Sequence, residues 1–173
     1  MVRLLIFMIF IITSSLNAVN LTNKQIETLK LVKEVALNFR DNSGETFENT
    51  AMSICLTETS AGLYKIGDTH MGRNLINASL GIMQVRVQTA RFIAKKLNIK
   101  KIKEMSDVEL AHKLLNDDRF NVEVAVRYIV WLSNRTKSYF KTISRYNGGN
   151  NNKVYVKRVM SRLRYIKKVK DLV

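Results

Sequence analysis

The stretch FENTAMSICLTE, residues 47–58, decides how the chain is read. Phe47, Ala51, Ile54, Cys55 and Glu58 fall at i, i+4, i+7, i+8 and i+11, so all five lie on one face of a helix. Four are apolar, and the fifth is a carboxylic acid on the same buried side. An ionised carboxylate among apolar neighbours is costly, so such a group is paired or kept protonated by a raised pKa. A protonated carboxyl at the edge of a cleft is suited to general-acid work. Two readings are open at this point: Glu58 is such an acid, or it simply ends the helix and reaches water past the last apolar turn.

Working outward, the rest of the chain also reads as helical. Proline is absent from all 173 residues, so nothing interrupts the helical periodicities from within. LTNKQIETLKLVKEVALNF (21–39) offers Thr22 as N-cap and an apolar stripe of Ile26, Leu29, Val32, Val35, Ala36 and Phe39. SDVELAHKLL (106–115) opens with Ser106 and Glu109 at capping-box spacing. FNVEVAVRYIVWL (120–132) places Val122, Ala125, Ile129 and Leu132 at helical intervals, and YVKRVMSRLRYI (155–166) does the same with Tyr155, Val159, Leu163 and Ile166. No alternating strand pair, internal repeat or low-complexity linker stands out. The expected architecture is all-α, a single helical globule, a size at which one sizeable core can be buried.

Residues 1–18, MVRLLIFMIFIITSSLNA, have the form of a secretory signal peptide: Arg3, an apolar run from Leu4 to Ile12, and small and polar residues up to Ala18. The run is shorter than the roughly 20 residues of a membrane span. Removal after Ala18 is the expectation, with retention as an N-terminal anchor the alternative, and residues 19–173 are expected to form the functional domain. The expected location is outside the cytoplasm, periplasmic or on the cell wall. Cys55 is the only cysteine, and its apolar setting marks it as a buried, inert thiol.

With 29 Lys and Arg against 14 Asp and Glu, the formal net charge is +15, so an anionic partner is expected. Nucleic acid, anionic lipid and an acidic wall polymer all fit this charge, but an exported protein rarely meets nucleic acid, so none is expected. The basic last helix and tail, 153–173, read as a solvated face or as a surface that holds anionic wall or membrane. His70 and His112 match no metal-ligand spacing, and neither a nucleophile-elbow nor a phosphate-binding glycine loop is present, so no metal or cofactor is expected.

Two further stretches bear on Glu58. SLGIMQV (79–85) leads into a helix with Thr89-Ala90, and ISRYNGG (143–149) precedes the last helix. In this order, a Glu at a helix end, Gly-x-Met-Gln and Tyr-Asn-x-Gly, the chain resembles the goose-lysozyme-like lytic transglycosylases that cleave peptidoglycan. The resemblance spans about Phe47 to Ile166 and implies a lysozyme-like helical domain.

Carried over residue by residue, the resemblance makes Glu58 the catalytic acid. Gly81, Met83 and Gln84 become the turn lining the cleft, and Tyr146 and Asn147 the pair that closes the site, the Tyr146 hydroxyl within reach of the acid. Thr59, where the family usually has Ser, and Ser60 after it are expected to supply hydroxyls to substrate. The chemistry implied needs no second carboxylate. Glu58 protonates the glycosidic oxygen of a MurNAc–GlcNAc β-1,4 bond, the 2-acetamido group stabilises the positive carbon, and Glu58 then takes the proton of the 6-hydroxyl as the 1,6-anhydro ring closes. The partner implied is the peptidoglycan glycan strand, with a role beside a secretion machine also compatible. Glycosidases of other kinds use two carboxylates; Asp68 is the nearest in sequence and reads as a solvated loop residue, while Asp117 and Asp118 read as helix-start residues. A hydrolytic lysozyme-like enzyme and a non-catalytic wall-binding assembly protein remain alternatives on the same scaffold.

Overall fold

In a computed structural model, residues 21–68 and 74–172 are described. Among them, eight α-helices form the body: α1 (Asn23–Ala36), α2 (Glu48–Thr59), α3 (Val87–Lys96), α4 (Lys100–Glu104), α5 (Asp107–Asn116), α6 (Asp118–Thr136), α7 (Tyr139–Tyr146) and α8 (Lys153–Ile166). Residues 1–20, and with them the signal-peptide reading, lie outside the described residues, as does His70. No helix among the described residues is long and apolar enough to cross a membrane.

Local sequence sets where several helices begin. Thr22 and Gln25 form a reciprocal capping box at the start of α1, and Ser106 and Glu109 form another at α5. Asp117 caps α6 by accepting the Phe120 N–H, and Asn152 caps α8 by accepting that of Tyr155. Asp118 contributes differently from a helix-start residue alone, since its carboxylate pairs with Lys65 at 2.8 Å.

Helix α2 is the axle of the fold, packed chiefly against α1 and α8, while α6 packs on α1 and α7. Every residue from Thr50 to Leu56 is buried, polar Thr50 and Ser53 included. The one-sided stripe of 47–58 therefore understates the burial: α2 is enclosed all round, as a helix at the centre of a globule must be. Its buried hydroxyls are satisfied locally, Ser53 by the Asn49 carbonyl at 2.6 Å and Thr50 by the Tyr139 hydroxyl at 2.9 Å. Cys55 is fully buried within this core, which pushes its thiol up to about 12 and keeps it unreactive.

The other stripes pack as their spacing requires. Val122, Ala125, Ile129 and Leu132 of α6 are buried, as are Tyr155, Val159 and Ile166 of α8; Leu163 is half-buried. One element escapes the helical pattern: β1 (Ile66–Gly67) pairs antiparallel with β2 (Ser79–Leu80), Ile66 opposite Leu80 and Gly67 opposite Ser79. Two residues per strand are too few to show an alternating signal.

Candidate active site

Glu58 occupies the last turn of α2, half-buried at the end of the buried helix. The chain leaves the helix through Ser60, whose φ of 51° and ψ of 47° are left-handed, a usual way of ending a helix. Burial raises the Glu58 carboxyl above its ordinary range; the nearby charge of Asp68 adds to this, and a hydrogen bond from Tyr155 works against it. That bond runs from the Tyr155 hydroxyl to Glu58 Oε1 at 2.5 Å. Burial and the neighbouring acid push the Tyr155 phenol far up, so it remains a donor.

A cavity of about 250 Å³ opens beside the acid. From α2 it takes Thr57 and Glu58, from the turn before α8 Asn147 and Asn152, and from α8 Val154, Tyr155 and Arg158. Asn147 Oδ1 accepts the Asn152 side-chain amide at 2.8 Å, and Asn152 Oδ1 in turn accepts the Tyr155 N–H at 3.0 Å. Asn147 thus orients the first turn of α8, which carries the tyrosine on the acid. Ser144 fastens the same turn, its hydroxyl donating to the Gly149 carbonyl and accepting the Asn152 N–H.

The remaining residues singled out from the sequence hold this site from behind. Thr59 is fully buried, contrary to the expectation of a hydroxyl facing substrate. Its oxygen lies 2.8 Å from the Ile82 carbonyl and 3.0 Å from that of Cys55, and it accepts the Gly62 N–H at 2.9 Å. It fastens the end of α2 to the turn 81–84, and its full burial keeps it out of a sugar's reach. Ser60 is half-buried and does not line the cavity; its carbonyl accepts the Gln25 amide at 2.9 Å.

Within that turn, Gly81 has φ +71°, and a Cβ there would stand 2.3 Å from the Leu114 carbonyl and 2.4 Å from the Asn121 amide. The glycine is required by the packing of α5 and α6 against the turn, not by close approach of a sugar. Met83 is fully buried, so its side chain does not line the cavity. Gln84 is half-buried with φ +52°; its amide donates to the Gly81 carbonyl at 3.0 Å and lies against Gly67.

The Tyr146 hydroxyl departs from expectation in its partner. It donates to the Met83 carbonyl at 2.8 Å rather than to Glu58, so it braces the turn while Tyr155 takes the acid. Asp68 is an exposed loop residue, as expected, and its carboxylate also binds Arg86 at 2.6 Å and Ser79 at 2.9 Å.

Two residues were not legible as site residues. Tyr155 reads as one more apolar position of the α8 stripe, and only the fold turns its hydroxyl onto the acid. Asn121 left a signal: a polar side chain inside the apolar run FNVEVAV. It is fully buried, its amide donating to the Leu80 and Leu114 carbonyls at 2.9 and 3.0 Å and its Oδ1 accepting the Met83 N–H at 2.8 Å. Such saturation fixes the backbone of the turn.

The model of the transglycosylase SLT domain matches residues 41–167, well over half of the chain and all of the elements that build this site. The chain belongs to the transglycosylase SLT domain family. Its all-helical architecture is the lysozyme-like fold expected of an SLT domain, and the family's enzymes act on peptidoglycan, outside the cytoplasm. No curated protein and no solved structure matches the chain.

Proposed function

We propose that this SLT domain is an exported lytic transglycosylase, periplasmic or cell-wall associated, that cleaves the MurNAc–GlcNAc β-1,4 bond of peptidoglycan with Glu58 as its one catalytic acid. The observation that carries the reading is the state of Glu58: a half-buried carboxyl with a raised pKa, hydrogen-bonded by Tyr155, in a cavity to which no other described carboxylate contributes. Burial favours the protonated form of Glu58, the form that can transfer a proton to the glycosidic oxygen. As that proton leaves, the Tyr155 hydroxyl stabilises the carboxylate that forms. The substrate's 2-acetamido oxygen stabilises the anomeric carbon. The ionised Glu58 then removes the 6-hydroxyl proton, and that oxygen closes on the anomeric carbon to give a 1,6-anhydromuramoyl end.

The arrangement around Asp68 favours this route over hydrolysis. A hydrolase of the two-carboxylate kind needs a second acid free to attack or to activate water; Asp68 is engaged by Arg86 and Ser79 and does not line the cavity. The Asn147 side-chain amide, whose oxygen is held by Asn152, keeps its N–H donors for the acetamido carbonyl. Mass spectrometry of the products released from purified sacculi tests the reading. Fragments one water lighter than reducing muropeptides are expected, and reducing ends alone would establish a muramidase instead.

A further inference from the structure

The cavity holds one group that the acid chemistry leaves idle. Arg158 lines it together with Glu58 and is exposed, and among the described residues it has no hydrogen bond or ion pair. Its place on α8 is not that of the helix's other cations. Arg158 follows Tyr155 by three residues, so the two share a face. A helical side chain also leans toward the helix N-terminus, here over the turn that carries Val154 and Tyr155. Lys157, Arg162 and Arg164 are equally exposed but do not line the cavity.

The guanidinium is not there to serve the acid. The charged neighbour acting on Glu58 is Asp68, which raises its pKa, whereas a cation paired with Glu58 would lower it and spoil a general acid. A planar, always-charged fork of donors at the mouth of a cavity, with no partner of its own, is suited to a carboxylate. On the reading that this cavity takes peptidoglycan, on which the inference rests, the groups of that charge are the carboxylates of the peptide stem hung from the muramoyl sugar.

We propose that Arg158 recognises a stem-peptide carboxylate, so that the enzyme selects glycan carrying acidic stems. Arg158 is on this view a specificity residue that touches the substrate away from the reacting bond, and its effect falls on KM more than on kcat.

The test uses peptide-bearing glycan oligomers in two forms, with stem carboxylates free or capped as neutral amides. Wild-type protein is expected to favour the free form by about fivefold in kcat/KM, the upper end for an exposed ion pair. Arg158→Gln should abolish that preference, Arg158→Lys should restore part of it, and Arg162→Gln, one turn further along, should leave it in place. A preference that survives Arg158→Gln, or a wild type that shows none, overturns the proposal while leaving Glu58 as the acid. A wild type that cleaves neither form overturns the reading of the acid and this inference with it.

Discussion

Helix α2 is enclosed from Thr50 to Leu56, whereas α8 buries Tyr155, Val156, Val159 and Ile166 and turns Lys157, Arg158, Arg162 and Arg164 to solvent. The two pack together and meet at the bond between Glu58 and Tyr155. In α2 the candidate site residue is conspicuous, because a carboxylate on a buried helix contradicts its surroundings. In α8 it is hidden, because a tyrosine on an apolar stripe agrees with its surroundings and its hydroxyl adds nothing to the periodicity. The site joins the most constrained helix to one whose outer face is free to carry charge. Position of the acid is thus set by core packing, while the exposed face of α8 carries the positive charge.

The comparison breaks first at Glu58. Glu58→Gln keeps the shape and removes the titrating proton, so sacculus solubilisation should fall by about 10² to 10⁴-fold at unchanged helical content by circular dichroism. The same variant reports on burial. Because the folded-state pKa of Glu58 lies above its ordinary 4.5, the wild type is most stable below that value and loses this contribution as pH rises through the raised one. Thermal melts should therefore show Glu58→Gln gaining on the wild type between acid and neutral pH; parallel curves would mean that the carboxyl is solvated after all.

Next in size is the division of labour between two tyrosines. Tyr155→Phe removes a hydrogen bond to a group that becomes charged, and should lower kcat by about 10 to 100-fold, from the usual 1.5–3 kcal/mol of such bonds. It should also move the high-pH limb of the rate profile upward, since the Tyr155 hydroxyl holds the Glu58 pKa down. Tyr146→Phe instead leaves the Met83 carbonyl without its donor and should cost about 1 kcal/mol of stability with a smaller loss of rate and no such displacement. If the two variants exchange these phenotypes, the roles assigned to α7 and α8 are reversed.

The smallest effect lies at the basic end of α8. Replacing Lys167, Lys168 and Lys170, all exposed, with Gln should weaken pelleting with intact sacculi by a few-fold, and added salt should weaken wild-type pelleting similarly. Cleavage of a short soluble glycan should change little. Sacculus binding that survives both treatments would make this surface a solvated face.

Much of this molecule was legible before folding was considered. Capping residues at Thr22 and Ser106, helix-start acids at Asp117 and Asp118, the spacing of Val122, Ala125 and Ile129, and the absence of proline are local features, and helices obey local rules. Glu58 stood out because burial and charge conflict on one helical face, which alone left a plain helix end open; the resemblance carried by the later motifs gave it the role of acid. The residues taken from the turn motifs were found as motifs, but not their roles. Thr59 and Met83 turn inward, Gly81 makes room for Leu114 and Asn121, and Tyr146 reaches a carbonyl instead of the acid. A motif records which residues stay together and not which way each faces.

Sequence by itself determined the helical class, the starts of the main helices, the excess of positive charge and the acid at the end of the buried helix. These follow from periodicity, capping and composition, all of which act within a few residues. Only the tertiary structure decided that Tyr155, 97 residues away, donates to Glu58, that Asn121 saturates the turn at Gly81 and Met83, and that Arg158 stands over the cavity. Those contacts depend on how α2, α6 and α8 pack, and the direction of a hydroxyl, an amide or a guanidinium is set by neighbours that no local pattern specifies.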